Sequence, residues 1–263
     1  MTTIKFIFSG FVILFYMTVS VFGQMSARDI MQKTRDVSKI PGLETISELK
    51  IIDPKGRERI REISMASKLT DNGRTEKRII RFLAPAEVRG TGMLIYDYDA
   101  ASDDMWIYMP ALRKTRRIAS NEKNQSFMGS EFSNADLAAP GTDDFSYRIT
   151  GNETVEGIDC WKIEALPVSD EISDDTGFSK KIIWIGKKDN VSRRTEFYDL
   201  DGDLFKILTC TEVRKMAEGK YMAASMQMEN VQNERKSVIY MKQMQYNPGV
   251  KEEYFTVAYL EKL

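Results

Sequence analysis

The chain has 263 residues, 42% of them hydrophobic and 29% charged, a balance that supports a buried core and excludes both a disordered chain and a multi-span membrane protein. Its formal net charge of -1 gives no basis for nucleic-acid binding, which needs a concentrated excess of Lys and Arg. It contains no histidine, so Ser-His-Asp and Cys-His catalysis, His-ligated zinc and the commonest general base are all excluded.

Lys5 precedes an apolar run from Phe6 to Phe22, the pattern of a secretory signal peptide, with Val21 and Gly23 placed for a cut after Gly23. The same run is close to the minimum for a bilayer span, so an uncleaved inner-membrane anchor is the alternative. Cleavage leaves residues 24–263, which read as one exported domain. Ser26 then stands three residues before Asp29, a Ser-x-x-acid capping pattern that opens an amphipathic helix over Ser26 to Val37, and Ile40-Pro41-Gly42 breaks it.

From Leu43 the apolar residues recur with period two, in segments divided by Gly, Asn, Asp and Pro. The spacing predicts strands over Glu44–Asp53, Glu58–Leu69, Thr75–Phe82, Gly92–Tyr98, Asp104–Tyr108 and Leu112–Ile118. A second series follows over Phe145–Gly151, Cys160–Leu166, Lys180–Ile185, Ser192–Tyr198, Leu204–Arg214, Tyr221–Asn230 and Lys236–Met244. Turns fall at Asp53-Pro54-Lys55-Gly56 and Asp71-Asn72-Gly73, and Val250–Leu260 reads as a closing helix. No repeat of fixed period argues for a propeller or solenoid. The fold class is therefore mainly β: a large curved antiparallel sheet forming a half-open β-barrel, closed by a few short amphipathic helices.

Alternation nominates one inward face: Ile80 with Phe82, Met93 with Ile95, Trp161 with Ile163, Ile183 with Ile185, and either Ile107 with Met109 or Trp106 with Tyr108. Arg59, Arg61, Arg78 and Arg81 are read as filling the alternate positions. Cys160 and Cys210 are too far apart in sequence for a redox CxxC pair or a thiolate metal cage; a disulfide and two separately buried thiols both remain open. Asp199-Leu200-Asp201-Gly202-Asp203 resembles the start of a calcium loop, but a hairpin turn explains it better, because Gly202 is misplaced and Cys210 stands where the bidentate Glu belongs. The acidic run Asp170 to Asp175 reads as a solvated loop.

The most unusual stretch places Arg113, Lys114, Arg116 and Arg117 just before Phe127, Met128 and Phe132 on a Gly/Ser-rich loop. Two readings stand side by side. The loop is an apolar gate whose neighbouring cations meet an anionic head group or an acidic partner, or it is a basic strand followed by aromatics that plug the core.

The runs LRKTRRIA (112–119), SFMGSEFSNADL (126–137) and VEGIDCWKIEALP (155–167) resemble the outer membrane lipoprotein-sorting protein family, a divergent branch of the periplasmic carriers similar to LolA. The resemblance covers nearly the whole chain after the first segment. It implies a periplasmic, monomeric carrier whose half-open barrel takes acyl chains of a lipoprotein or lipid in a hydrophobic cavity. In some members such carriers accompany inner-membrane transporters of the RND superfamily. Carried over residue by residue, it makes Phe127, Met128 and Phe132 the lid or gate. Together with alternation, it makes Phe82, Ile95, Trp106, Tyr108, Trp161, Ile163 and Trp184 candidates for the cavity lining. Arg113, Lys114, Arg116 and Arg117 are the candidate head-group or partner patch. No catalytic residue, metal ligand or cofactor is expected. The competing functions are a lipid-sensing adaptor of similar fold acting through a protein partner, and a carboxylate-based or Ser-Lys hydrolase, which needs a strongly shifted pKa on the inner face.

Overall fold

Strict alternation over most of the chain becomes a single antiparallel meander. The structure, a computed structural model, describes residues 25–138 and 141–262, and the expected signal segment 1–23 lies outside them. Six strands form the first series: β1 (Gly42–Ile52), β2 (Glu58–Thr70), β3 (Thr75–Ala84), β4 (Gly92–Tyr98), β5 (Asp104–Met109) and β6 (Lys114–Arg117). Seven form the second: β7 (Phe145–Val155), β8 (Ile158–Pro167), β9 (Lys180–Gly186), β10 (Ser192–Tyr198), β11 (Leu204–Lys215), β12 (Tyr221–Asn230) and β13 (Arg235–Tyr246). All the expected strands are present; the sixth is shorter, because Pro110–Leu112 forms a 3-10 turn and Arg113 takes a left-handed conformation.

The strand order is β6-β5-β4-β3-β2-β1-β13-β12-β11-β10-β9-β8-β7, so each strand pairs with its sequence neighbour and the chain's two ends meet through β1 and β13. The two free edges, β6 and β7, are consecutive in sequence. The sheet thus curls toward closure and stays open at its midpoint, and residues 118–138, called the bridge below, lie across the gap. The curl is visible in the core: Leu49, Ile80, Ile95, Ile163, Ile183, Phe197 and Ile239, from strands spread across the whole sheet, belong to one buried cluster. A flat sheet of this width could not bring them together.

Helix α1 (Ala27–Ser38) starts at the expected capping box: the Asp29 N–H donates to Ser26 Oγ at 3.1 Å, and the Ser26 N–H donates to the Asp29 carboxylate at 3.2 Å. It buries Ile30 completely in the barrel core. Two expectations are corrected. The acidic run is not a loop but a short helix, α2 (Asp170–Thr176), because Ser169 caps it through the Ile172 N–H and Gly177 supplies the left-handed exit. The closing helix is helical only at α3 (Val257–Leu260), after a 3-10 turn at Glu252–Tyr254.

That C-terminal segment explains a second dry face. Val250, Phe255 and Leu260 cover the outer side of β3 to β5, burying Ile79, Leu94 and Tyr108 with Tyr96 and Trp106 around them. Gly92 permits the approach, since a Cβ there would lie 2.7 Å from Leu260 Cδ1. Among the described residues no helix is long and apolar enough to cross a membrane.

Candidate functional site

The concave face, α1 and the bridge border three adjoining cavities of about 310, 390 and 370 Å³. Met226 of β12 borders all three. Met31 of α1 and Leu208 of β11 border two, as do Leu137 of the bridge and Ile239 of β13. The three spaces share lining side chains and lie side by side, largely apolar, between α1 and the bridge on one side and the sheet on the other. Unbranched Met side chains suit such a lining because they re-pack around irregular shapes at little cost.

Of the residues nominated for this lining, Phe82, Ile95 and Ile163 are buried in the interior cluster and Trp161 packs on its edge, but none of the four borders these three cavities. Trp106 and Tyr108 do not belong there. They point outward beneath the C-terminal segment, and Met105 and Ile107 take the inward positions of β5. Trp184 also faces out, beside Cys160 and Ile182, with its indole N–H donating to Glu153 and with Lys162 and Arg194 over its ring at 4.9 and 5.5 Å. The physical reason is common to all three. These strands are apolar on both faces, so size and hydrophobicity do not mark the inner one.

The bridge itself is docked. Phe127 is 1% exposed and Phe132 3%, and the Phe127 ring lies 5.6 Å from that of Phe82. Met128, partly buried, turns the chain with a positive φ. Most of the contacts that hold the bridge to the sheet come from side chains instead of a strand ladder. Arg61 of β2 donates to the Met128 carbonyl, Arg78 of β3 to the Leu137 carbonyl, and Arg235 of β13 to the Gly129 carbonyl at 3.1 Å. Glu131, buried, accepts from Asn230 Nδ2 at 3.1 Å and pairs with Arg235 Nε at 2.8 Å, while its N–H donates to Ser237 Oγ at 2.9 Å. Arg61 and Arg78 were expected among outward-facing positions; they share the parity of Ile63 and Ile80 and point inward.

A second polar cluster ties the roof to the wall. Arg35 of α1 donates to Asp97 of β4 at 2.8 Å and to Asp99 at 3.1 Å, and Lys39 Nζ lies 2.6 Å from Asp99. Arg78 lies 2.7 Å from Glu76 and 3.5 Å from Asp97. Beside them, burial and then the charge of Asp97 push the Asp103 carboxyl up to about 7. The basic patch is where the sequence placed it. Arg113, Lys114, Arg116 and Arg117 are exposed on the β5–β6 hairpin and edge strand, with Arg116 turned 2.6 Å to Glu122 and Arg117 paired with Asp104. Cys160 and Cys210 are free thiols, not a disulfide. Among the described residues no group of three or more Cys, Asp or Glu is arranged to hold a metal ion. Asp199 accepts from the N–H groups of Asp201 and Asp203, which is a hairpin turn.

Sequence reasoning missed Met226, Lys181 and Arg193, which border the cavity. A signal existed for the two cations: Lys181 shares parity with Ile183 and Ile185, and Arg193 with Phe197.

A half-open antiparallel barrel with a largely apolar interior and a docked bridging loop is a LolA-like fold. Residues 74–262 match the model of a family described as "-like: Uncharacterized protein". The chain belongs to this family, and its structure is similar to those of LolA-like, outer membrane lipoprotein-sorting proteins. A protein domain from Vibrio parahaemolyticus described as outer membrane lipoprotein-sorting is 25% identical, with a TM-score of 0.83 over 90% of this chain and 98% of that one. A DUF1329 family protein from Desulfovibrio piger is 28% identical, with a TM-score of 0.82 over 89% and 97%. A LolA superfamily protein from Nitrosomonas europaea shares the fold at 20% identity, with a TM-score of 0.68 over 90% and 100%. A search of the curated proteins finds no match.

Proposed function

We propose that this protein is a periplasmic carrier that binds the acyl chains of a lipoprotein or lipid and moves them toward the outer membrane, working as a monomer over residues 24–263 once the signal segment is removed. The observation that carries the reading is the set of adjoining, largely apolar cavities that share Met226, beneath a loop held mostly by side chains. Its mechanism is binding without covalent chemistry. Each CH2 withdrawn from water into such a space contributes roughly 0.8 kcal/mol, so a single long chain supplies ample affinity. Undocking of Phe127, Met128 and Phe132 would open the way out, and a partner such as an RND-type transporter would trigger it. The likeness to the lipoprotein-sorting domain supports the assignment of this role.

The test is native mass spectrometry of the mature protein purified from its own envelope, followed by organic extraction of what it carries. A stoichiometric acylated species that is lost in a Met226→Glu variant is the expected result. A ligand-free protein that also fails to take up an acyl probe would overturn the carrier reading and favour an adaptor that acts through a protein partner.

A further inference from the structure

The interior is not uniformly apolar. In the register of the sheet, Lys181 of β9 lies opposite Phe197 of β10, and Phe197 lies opposite Lys206 of β11, so the three side chains share one inward row. Lys181 borders two of the adjoining cavities, with its ammonium 4.1 Å from the ring centre of Phe145 and 4.8 Å from that of Phe178. Among the described residues no carboxylate reaches it as an ion pair; Asp136 and Asp144 act on it only through their field. Arg193, at the irregularity in the β9–β10 pairing, borders the same 390 Å³ cavity and is 7% exposed. Its Nη2 pairs with Asp189, while Nε and Nη1 are buried without a hydrogen-bond partner among the described residues.

A part-buried ammonium held only against aromatic faces and two buried guanidinium nitrogens without acceptors are unfavourable, and proteins usually meet such groups with an acceptor or an opposite charge. Asp189 meets only Nη2 of Arg193, and Asp136, which borders the 310 Å³ cavity with Lys181, makes no ion pair with it among the described residues, so the Lys181 ammonium and Arg193 Nε and Nη1 are left without an acceptor. We propose that the cavity takes an amphiphile with an anionic head group, a carboxylate or a phosphate monoester, seated against Lys181 and Arg193 with its chain running toward Met226. This inference rests on the carrier reading and names its ligand class. It separates an anionic lipid from a neutral acyl chain, for which the Lys181 ammonium and the two free Arg193 nitrogens would remain without an acceptor. Burial also pushes the Lys181 ammonium down to about 8, a direction that a bound anion reverses.

The experiment is calorimetric titration of the delipidated mature protein at pH 7 with oleate, 1-oleoyl-lysophosphatidate and mono-oleoylglycerol, each below its micellar concentration. The expected result is at least tenfold tighter binding of one or both anions than of the neutral glyceride. Lys181→Met and Arg193→Met should each narrow that gap and leave the glyceride within twofold. Lys181→Met removes no ion pair, so it decides the question even if Arg193→Met fails to fold. Equal affinity for all three ligands, or a gap that survives in the folded variants, overturns the anionic site and leaves the apolar carrier standing. Failure of all three to bind overturns the carrier reading itself. Inorganic phosphate bound as tightly as the lysophosphatidate would overturn the proposal in favour of a free-anion site.

Discussion

Phe127→Ala tests whether the bridge between the two sheet edges opens as a unit. The ring is almost wholly buried and rests against Phe82, and deleting a core Phe side chain typically costs 3–5 kcal/mol. If the bridge undocks by itself, that cost falls on the docking equilibrium and not on the sheet. Taking the lower figure of about 3 kcal/mol, and 1.4 kcal/mol per decade, undocking becomes about a hundredfold more frequent. Hydrogen exchange followed by mass spectrometry reads this directly. Amides over 125–138, including the Phe127 N–H bonded to the Phe132 carbonyl, should lose about two decades of protection, while peptides from β2, β3 and β13 keep theirs. A loss of the same size in those strands would refute the reasoning, because the loop would then be an integral plug that leaves only when the sheet unfolds.

Two further predictions concern stability. The Asp103 carboxyl is raised from its ordinary value near 3.8 to about 7, so between those values the folded state keeps a proton that the unfolded chain has lost, and stability falls as pH rises through the window. Asp103→Asn, which can still accept the Tyr98 N–H, should abolish that fall, on the order of a few kcal/mol, giving a higher Tm than the parent at pH 8 but not at pH 4; parallel Tm profiles for the two proteins would contradict the assignment. Gly42→Ala places a Cβ 2.1 Å from the carbonyl oxygen of Asn247, where β1 and β13 close the meander, and should cost about 1–3 kcal/mol, lowering Tm by roughly 2–12 °C. Gly151→Ala, whose Cβ meets nothing within 4 Å, is the control, and an equal Tm change in both would rule out the close approach as the cause.

The sequence by itself determined the strands, the first helix and the family, because these depend on short-range information. Period-two alternation, the Ser26-to-Asp29 capping box and the Asp-Gly and Asn-Gly turns act over a few residues, and the tertiary structure had no reason to overrule them. It also marked the 126–137 motif as unusual before its position across the open edge was known. What only the tertiary structure decided was direction. Trp106, Tyr108 and Trp184 read as lining residues, yet they face outward, because the C-terminal segment and a third small cluster make parts of the outer surface as dry as the inner one. Conversely, Arg61, Arg78, Lys181 and Arg193 are charged residues at inward parity. A charge is placed inside only when a carbonyl, a carboxylate or a ligand elsewhere in the fold compensates it, and such partners come from strands and loops far apart in sequence. The cavity at Met226 is likewise a property of how far the sheet curls and where α1 and the bridge rest on it, which no local pattern encodes.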